Sequence, residues 1–136
     1  MHGANLMYWK YCKNKYPRYF TKCRVLEVGS YNVNGSVRQF FENCEYVGID
    51  WRAGPDVDMV CFAHDLPPME PFDTIISASM LEHDPYWGKS LRRMVDALAP
   101  HGILLLSWGA AHNPPHEFQA AHDGAFHALP AGKVIQ

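Results

Sequence analysis

The chain has 136 residues, of which 48% are apolar or aromatic and 19% are charged, so its composition predicts one domain with a packed core. Twelve lysines and arginines against fourteen aspartates and glutamates give a net charge of −2, which argues against a general polyanion binder. The longest aliphatic run, Ile103 to Leu106, is far shorter than the ~18 residues of a membrane span. The first residues also lack the basic start and apolar stretch of a signal peptide.

The four cysteines are widely spaced and include no Cys-x-x-Cys pair; they are Cys12, Cys23, Cys44 and Cys61. A disulfide framework or a zinc knuckle has tighter and more regular spacing. We therefore expect free thiols in a reducing compartment, and the cytoplasm is the expected location.

Residues 1–23 combine basic and aromatic side chains, and no acidic residue precedes Glu27. Trp9, Cys12 and Tyr16 recur at steps of three and four, which predicts one helical face, and Pro17 should end or bend that helix. The spacing favours a lid helix whose aromatic face packs on the rest of the domain. A nucleic-acid surface, with cations for phosphates and rings for stacking, is the alternative.

Residues 24–108 alternate short apolar strands with helical segments, a pattern that predicts right-handed crossovers and a parallel sheet. Ser36 is placed to cap a first helix, and residues 86–99 should form a second helix, ended by residues 100–102. The predicted strands are Val25–Val28, Tyr46–Asp50, Val57–Phe62, Phe72–Ser77 and Ile103–Trp108.

Residues 109–136 are predicted to be an irregular tail because Pro114 and Pro115 break any helix there. Four histidines in this tail suggest a metal site, but they match no ligand spacing of a known metal centre; they are His112, His116, His122 and His127. We expect instead a loop that covers the substrate side of the domain.

Ligands of open parallel sheets bind beyond the carboxyl ends of the strands, where strand order reverses. Glu27 and Gly29 stand at the end of the first predicted strand, and Asp50 ends the second. A carboxylate at the position of Asp50 can accept both hydroxyls of a ribose. This feature also suits NAD, but residues 29–35 do not fit the Gly-x-Gly-x-x-Gly pattern of NAD-binding loops.

Five ordered segments resemble the class I S-adenosylmethionine-dependent methyltransferases of the small-molecule type with a Leu-Glu-His motif. They are Val25–Ser30, Val47–Asp50, Ala63–Pro67, Phe72–His83 and Leu98–Ser107. The resemblance implies an α/β fold, a Rossmann-like three-layer sandwich whose parallel sheet has the order 3-2-1-4-5. Compared with that family, we expect the C-terminal strand pair to be missing. We therefore expect either that two chains pair in a homodimer through the open edge of the fifth strand, which the Pro-broken tail favours, or that residues 109–136 fold back over that edge.

The resemblance also implies which residues bind S-adenosylmethionine. Glu27 and Gly29 would lie at its methionine end, with Ser30 and Tyr31 in the same loop, and Asp50 would bind the ribose. The family has a glycine where this chain has Tyr31.

The remaining implied roles fall on residues after the second, third and fourth strands. Trp51 would cover one face of the adenine, and Ala63 and His64 would lie at its edge. Ser77 would lie near the amino group of the cofactor. His83 would face the acceptor, either as a general base or as a structural histidine of the following loop.

These expectations together describe methyl transfer to a small or anionic acceptor, in which alignment supplies much of the catalysis. The alternative is a non-catalytic or truncated S-adenosylmethionine-binding module that acts with a partner chain.

Overall fold

A computed structural model describes residues 3–32, 35–78, 80–107 and 126–130, and within them one six-stranded sheet has the order β3-β2-β1-β4-β5-β6. The first five strands are parallel neighbours, which confirms the predicted order 3-2-1-4-5. The strands are β1 (Arg24–Val28), β2 (Glu45–Asp50), β3 (Met59–Val60), β4 (Phe72–Ala78), β5 (Leu98–Ser107) and β6 (Phe126–Pro130).

In the part of the chain that the structure describes, two α-helices accompany the sheet, α1 (Gly3–Lys15) and α2 (Trp87–Asp96). Helix α1 ends just before Pro17, as predicted. The helix predicted after Ser36 is reduced to a single 3-10 turn, although the Ser36 hydroxyl does accept the backbone N–H of Arg38 at 3.0 Å. The 3-10 turns are Pro17–Tyr19, Val37–Phe40, Ala63–Asp65 and Leu81–His83.

The boundary between α2 and β5 differs from the prediction. The helix ends at Asp96, and residues 100–102 lie inside β5 instead of ending the helix. Pro100 disfavours a helical conformation for the residue before it, so the chain is already extended there. The extra residues bulge out of the ladder, because Phe72 pairs with Leu98 whereas Thr74 pairs with Ile103.

The core lies in two layers, one on each face of the sheet, because successive side chains of a strand point to opposite faces. Leu26, Ile75 and Leu104 are buried on the face that α2 covers. On the other face Ile76 and Leu105 are buried against α1. This helix contributes the buried side chains of Trp9 and Cys12 to the same cluster. The predicted three-layer arrangement and the packing of the aromatic face of α1 on the sheet are both confirmed.

Of the two arrangements expected at β5, the structure shows the one in which the tail folds back over the edge of that strand. The β6 strand pairs with it in antiparallel register, from Ser107 opposite Phe126 to Ile103 opposite Pro130. The tail therefore contains a strand, and part of the C-terminal strand pair is present. A homodimer through the edge of β5 would have to displace β6. The histidine-rich segment before β6 lies outside the described residues.

No helix in the described ranges is both long and apolar enough to cross a membrane.

The buried position of Trp9 predicts that α1 is a structural layer of the domain. Trp9→Ala should lower the free energy of unfolding by about 3–5 kcal/mol, since a large apolar side chain leaves a cavity. Tyr11→Ala, on the same helix but at a side chain that is 56% exposed, should cost less than about 1 kcal/mol. Urea unfolding followed by circular dichroism measures both, and equal losses would contradict this docking of α1.

Candidate functional site

A cavity of about 450 Å³ opens at the carboxyl ends of the central strands. This is the place where ligands bind in open parallel sheets, since strand order reverses between β1 and β4. Residues after β1, β2, β3 and β4 all contribute to the wall. The predicted site residues that line it are Gly29, Tyr31, Asp50, Trp51, Ala63, His64 and His83.

Gly29 makes the sharp turn at the end of β1. Its φ of +84° is a conformation that other residues adopt only with strain, and a Cβ there would lie 2.7 Å from Cγ of Met80. The N–H groups of Gly29 and Ser30 both donate to the carbonyl of Ile49, at 2.8 and 2.9 Å. The loop after β1 is thereby held against the end of β2.

Asp50 joins the same loop from the other side. Its carboxylate is only 6% exposed; Oδ2 accepts the backbone N–H of Tyr31 at 3.1 Å, and Oδ1 accepts that of Arg52 at 3.0 Å. The Arg52 side chain lies close as well, with Nε 3.5 Å from Oδ1. An ionised carboxylate has about four acceptor positions, so Asp50 keeps capacity for further donors on the cavity side.

The resemblance implies a glycine at the position of Tyr31. The larger side chain has room here because the neighbouring Gly54 has no side chain. The Arg52 guanidinium lies 4.3 Å from the centre of the Tyr31 ring. A Cβ at Gly54 would come within 2.3 Å of Tyr31 Cε2, so the ring occupies the volume that a side chain at Gly54 would need. Asn32 then fixes the loop, with its side-chain amide donating to Asp56 at 2.8 Å.

Aromatic rings form the outer part of the wall. Trp51 is 59% exposed, and the Phe62 ring stacks on His64 with centroids 5.2 Å apart. His64 also contacts Tyr86, at 4.7 Å between ring centroids. Phe62 itself lines the cavity as an exposed aromatic surface.

Three predicted cofactor residues do not line the cavity. The Glu27 carboxylate lies on the α1 side of the sheet and accepts the Tyr46 hydroxyl at 2.6 Å. The Ser30 hydroxyl donates to the carbonyl of Asp56 at 2.8 Å, and that of Ser77 donates to the carbonyl of Val28 at 3.1 Å. Their bonds hold strands and loops together, and their contact with a cofactor stays a prediction.

The environment of Glu27 changes its ionisation. Burial raises the pKa of this carboxyl to about 7, although the hydrogen bond from Tyr46 and the charge of Arg38 oppose the rise. Burial and the neighbouring Glu27 also raise the pKa of Tyr46. The Arg38 guanidinium stacks 4.4 Å from the centre of the Tyr46 ring and donates to Asp58 at 3.0 Å.

The Leu-Glu-His segment forms the 3-10 turn after β4, and its histidine, His83, lies exposed at the cavity wall. The next residue, Asp84, accepts the backbone N–H of Tyr86 at 2.7 Å and so fixes the start of α2. His83 is therefore placed beside the cavity by a turn that is anchored on the following helix.

Among the described side chains, those of residues 6–15 in α1 do not line this cavity, because the aromatic face of that helix is buried against the sheet. That the N-terminal helix covers a bound cofactor stays a prediction. Sequence analysis also missed Arg52 and Met80 as lining residues. Arg52 follows a strand-end carboxylate by two residues, a spacing that permits the observed backbone bond; nothing in the sequence pointed to Met80.

No protein-family model and no curated protein sequence matches the chain. Solved structures do match. The 1,6-didemethyltoxoflavin-N1-methyltransferase of Burkholderia thailandensis, with bound 1,6-didemethyltoxoflavin and S-adenosylhomocysteine, is 20% identical at a TM-score of 0.59, over 78% of this chain and 53% of that one. The N-methyltransferase NodS of Bradyrhizobium japonicum, in complex with S-adenosylhomocysteine, is 17% identical at a TM-score of 0.58, over 75% and 62%.

A third match is described as the [4+2]-cyclase SpnF, with 20% identity and a TM-score of 0.56, over 68% of this chain and 40% of that one. The chain thus spans less than two thirds of the length of each of these three structures. At these identities the likeness is one of fold. The domain has the Rossmann-like fold of the class I S-adenosylmethionine-dependent methyltransferases.

The raised pKa of Glu27 predicts a pH-dependent stability. Between pH 4.5 and about 7 the folded chain keeps a proton on Glu27 that the unfolded chain has released, so the free energy of unfolding falls as pH rises through this window. Glu27→Gln should remove this fall. The difference in free energy of unfolding between the variant and the wild type should therefore shift by about 3 kcal/mol in favour of the variant from pH 4 to pH 8. Urea unfolding across this range measures the difference.

Glu70→Gln is the matched control, since its side chain is exposed. It should keep the pH profile of the wild type. Parallel profiles for wild type and Glu27→Gln would show that Glu27 ionises normally in the folded protein.

Proposed function

We propose that this domain binds S-adenosylmethionine in the cavity at the carboxyl ends of β1, β2 and β4 and transfers its methyl group to a small molecule. The observation that carries the proposal is the pairing of Asp50 with the loop after Gly29, which puts a buried carboxylate and a close-approach glycine at one cavity wall. The fold neighbours that were crystallised with S-adenosylhomocysteine support this choice of ligand.

Asp50 would accept the ribose hydroxyls through the acceptor positions that Tyr31 and Arg52 leave open. Trp51 and the Phe62–His64 stack would hold the adenine, with Ala63 presenting its backbone to the adenine edge. Exposed aromatic surfaces are suited to a planar base because stacking contributes without requiring precise hydrogen bonds.

Gly29 and Tyr31 would lie at the methionine end of the cofactor. In this proposal Glu27, Ser30 and Ser77 support the site through the bonds described above, rather than touching the ligand. NAD is the competing ligand for a strand-end carboxylate, but the loop after β1 lacks its glycine pattern.

Bound S-adenosylmethionine supplies a sulfonium methyl group that is already a strong electrophile. The task of the chain is then to align the acceptor with it and to exclude water. His83, at the same wall, is the residue placed to take a proton from the acceptor. A neutral imidazole is suited to this near pH 7.

The acceptor is proposed only as a small molecule. In α1, Lys13 pairs with Glu42 at 3.3 Å and Lys15 lies over the rings of Tyr11 and Tyr16, so these two cations do not argue for an anionic acceptor. A nucleic-acid partner is not part of the proposal. The cytoplasm, where free thiols stay reduced, remains the expected location.

A second candidate is a cofactor-binding domain that does not transfer the methyl group, or does so only with a partner chain. One observation favours it: another protein of the same fold is described as a cyclase. Binding is common to both candidates, and methyl transfer separates them.

Ligand binding is the first test. Saturating S-adenosylhomocysteine should raise the Tm of the wild type by about 5 °C or more, since a ligand that binds only the folded state stabilises it. Asp50→Asn should weaken binding, measured by titration calorimetry, by about 1–3 kcal/mol. Asp96→Asn, at an exposed carboxylate of α2, should bind like the wild type.

A rise in Tm with NAD but not with S-adenosylhomocysteine would overturn both candidates. Transfer is then tested with S-adenosylmethionine labelled in its methyl group and a fractionated small-molecule extract. Label in a product supports the enzyme, whereas binding without any labelled product supports the second candidate.

The role of His83 is tested on the labelled product. His83→Asn should lower kcat by about 100-fold while S-adenosylhomocysteine binds as in the wild type, because a general base acts on the chemical step. A normal kcat would restrict His83 to lining the cavity.

A further inference from the structure

Two thiols that the proposed function does not use lie against each other at the amino ends of β1 and β2, the end of the sheet opposite the cavity. Cys23 directly precedes β1, and Cys44 directly precedes β2. Their Sγ atoms are 3.7 Å apart. These strands are parallel neighbours whose first pair is Arg24 opposite Glu45, and the Glu45 N–H donates to the Cys23 carbonyl at 3.0 Å.

This placement meets the geometric needs of a disulfide. Neighbouring strands lie about 4.7–4.9 Å apart, within the range of roughly 4.4–6.8 Å between Cα atoms that a disulfide spans. Shortening the Sγ distance from 3.7 Å to the roughly 2 Å of a bond is a side-chain rotation. The backbone pairing of β1 and β2 can therefore stay as it is.

The other two cysteines have different surroundings. Cys12 is buried in the cluster that α1 forms with the sheet, and Cys61 lies at the cavity wall. Within the described ranges, the sulfurs in contact are those of Cys23 and Cys44. A pairing of Cys23 with Cys44 is therefore the one that the native fold favours.

We propose that Cys23 and Cys44 are a site of reversible oxidation that closes to a disulfide between β1 and β2. The oxidant is a hydroperoxide. The Cys44 sulfur attacks the peroxide, so that the O–O bond breaks, a sulfenic acid forms and one molecule of water or alcohol leaves. The Cys23 sulfur then attacks the Cys44 sulfur, the S–O bond breaks, and the hydroxyl leaves with the Cys23 proton as water. Both sulfurs are oxidised, and the peroxide is reduced.

The order of the two steps follows from the surroundings of each thiol. Burial raises the pKa of Cys23 to about 12, and the neighbouring Cys44 adds to the rise. A protonated thiol is a poor first nucleophile for a peroxide. Cys44 is only half-buried and lies between the exposed Asn43 and Glu45, which gives an oxidant an approach from solvent.

The disulfide would stabilise the domain without reshaping the cavity. It closes a loop that contains β1, the loop after Gly29 and the 3-10 turn Val37–Phe40, and closing a loop of this size restricts the unfolded chain. The thiols lie at the amino ends of β1 and β2, whereas the cavity lies at their carboxyl ends. Ligand binding is therefore expected to be the same in both redox states.

The test is a tryptic map of the native protein after treatment with hydrogen peroxide. Trypsin places each of the four cysteines in a separate peptide, because lysines or arginines lie between them. The expected main product joins residues 23–24 to residues 39–52 and is two hydrogen atoms lighter than the separate peptides. The Tm of the oxidised protein should be about 10 °C higher than that of the reduced protein, and dithiothreitol should reverse both the cross-link and the rise in Tm.

Variants assign the effect to the pair. Cys44→Ser should lose the rise in Tm with peroxide, and Cys61→Ser, at a half-buried cysteine outside the pair, should keep it. If Cys44→Ser does not fold, the map of the wild type decides. Oxidation that stops at a sulfinic acid on Cys44 would overturn the proposal. So would a tryptic map in which the native protein and the urea-unfolded protein give the same mixture of disulfide pairings, since the native fold would then not select the pair. The outcome does not depend on what the cavity binds.

Discussion

The candidate site depends on the buried carboxylate of Asp50. Parallel strands share no hairpin, so the ends of β1 and β2 are brought together only by the sheet and by what bridges the following loops. The Asp50 carboxylate is one such bridge, since it accepts N–H groups from Tyr31 after β1 and from Arg52 after its own strand. The two N–H groups of Gly29 and Ser30 on the Ile49 carbonyl reinforce it. The cavity is the space that these bonds keep open.

The two faces of the sheet have separate tasks. The core cluster on the face covered by α2 consists of apolar side chains, whereas the face covered by α1 also buries the carboxyl of Glu27 with Tyr46. Burial of a carboxyl is costly unless it is hydrogen-bonded or protonated, and Glu27 has the hydrogen bond and a raised pKa. Through this bond Glu27 in β1 is tied to Tyr46 in β2.

Much of this architecture is predictable from sequence because strand patterns are local. The five parallel strands follow from apolar runs separated by turns, and Asp50 and Gly29 could be placed because strand ends are recognisable. The direction of the Glu27 side chain was also predictable from the sequence. Glu27 lies between Leu26 and Val28, which pack on the α2 side, so its side chain points to the other face of the sheet. Resemblance to a family suggested ligand contact instead.

Other features depend on contacts between distant residues and leave little trace in a local pattern. β6 forms because β5 offers an unpaired edge, even though its own segment includes Pro130. The helix expected after Ser36 is only one turn long, because the chain is extended again from Phe41 towards β2. Tyr31 is accommodated because Gly54, far along the chain, has no side chain.

The most direct test of this account is a crystal structure of the domain grown with S-adenosylhomocysteine. The account predicts that ribose hydroxyls lie about 2.6–3.0 Å from the Asp50 oxygens, with the adenine against Trp51 or the Phe62–His64 stack. A nucleoside bound elsewhere, or an Asp50 carboxylate that contacts only Tyr31 and Arg52 in the ligand-bound structure, would contradict it.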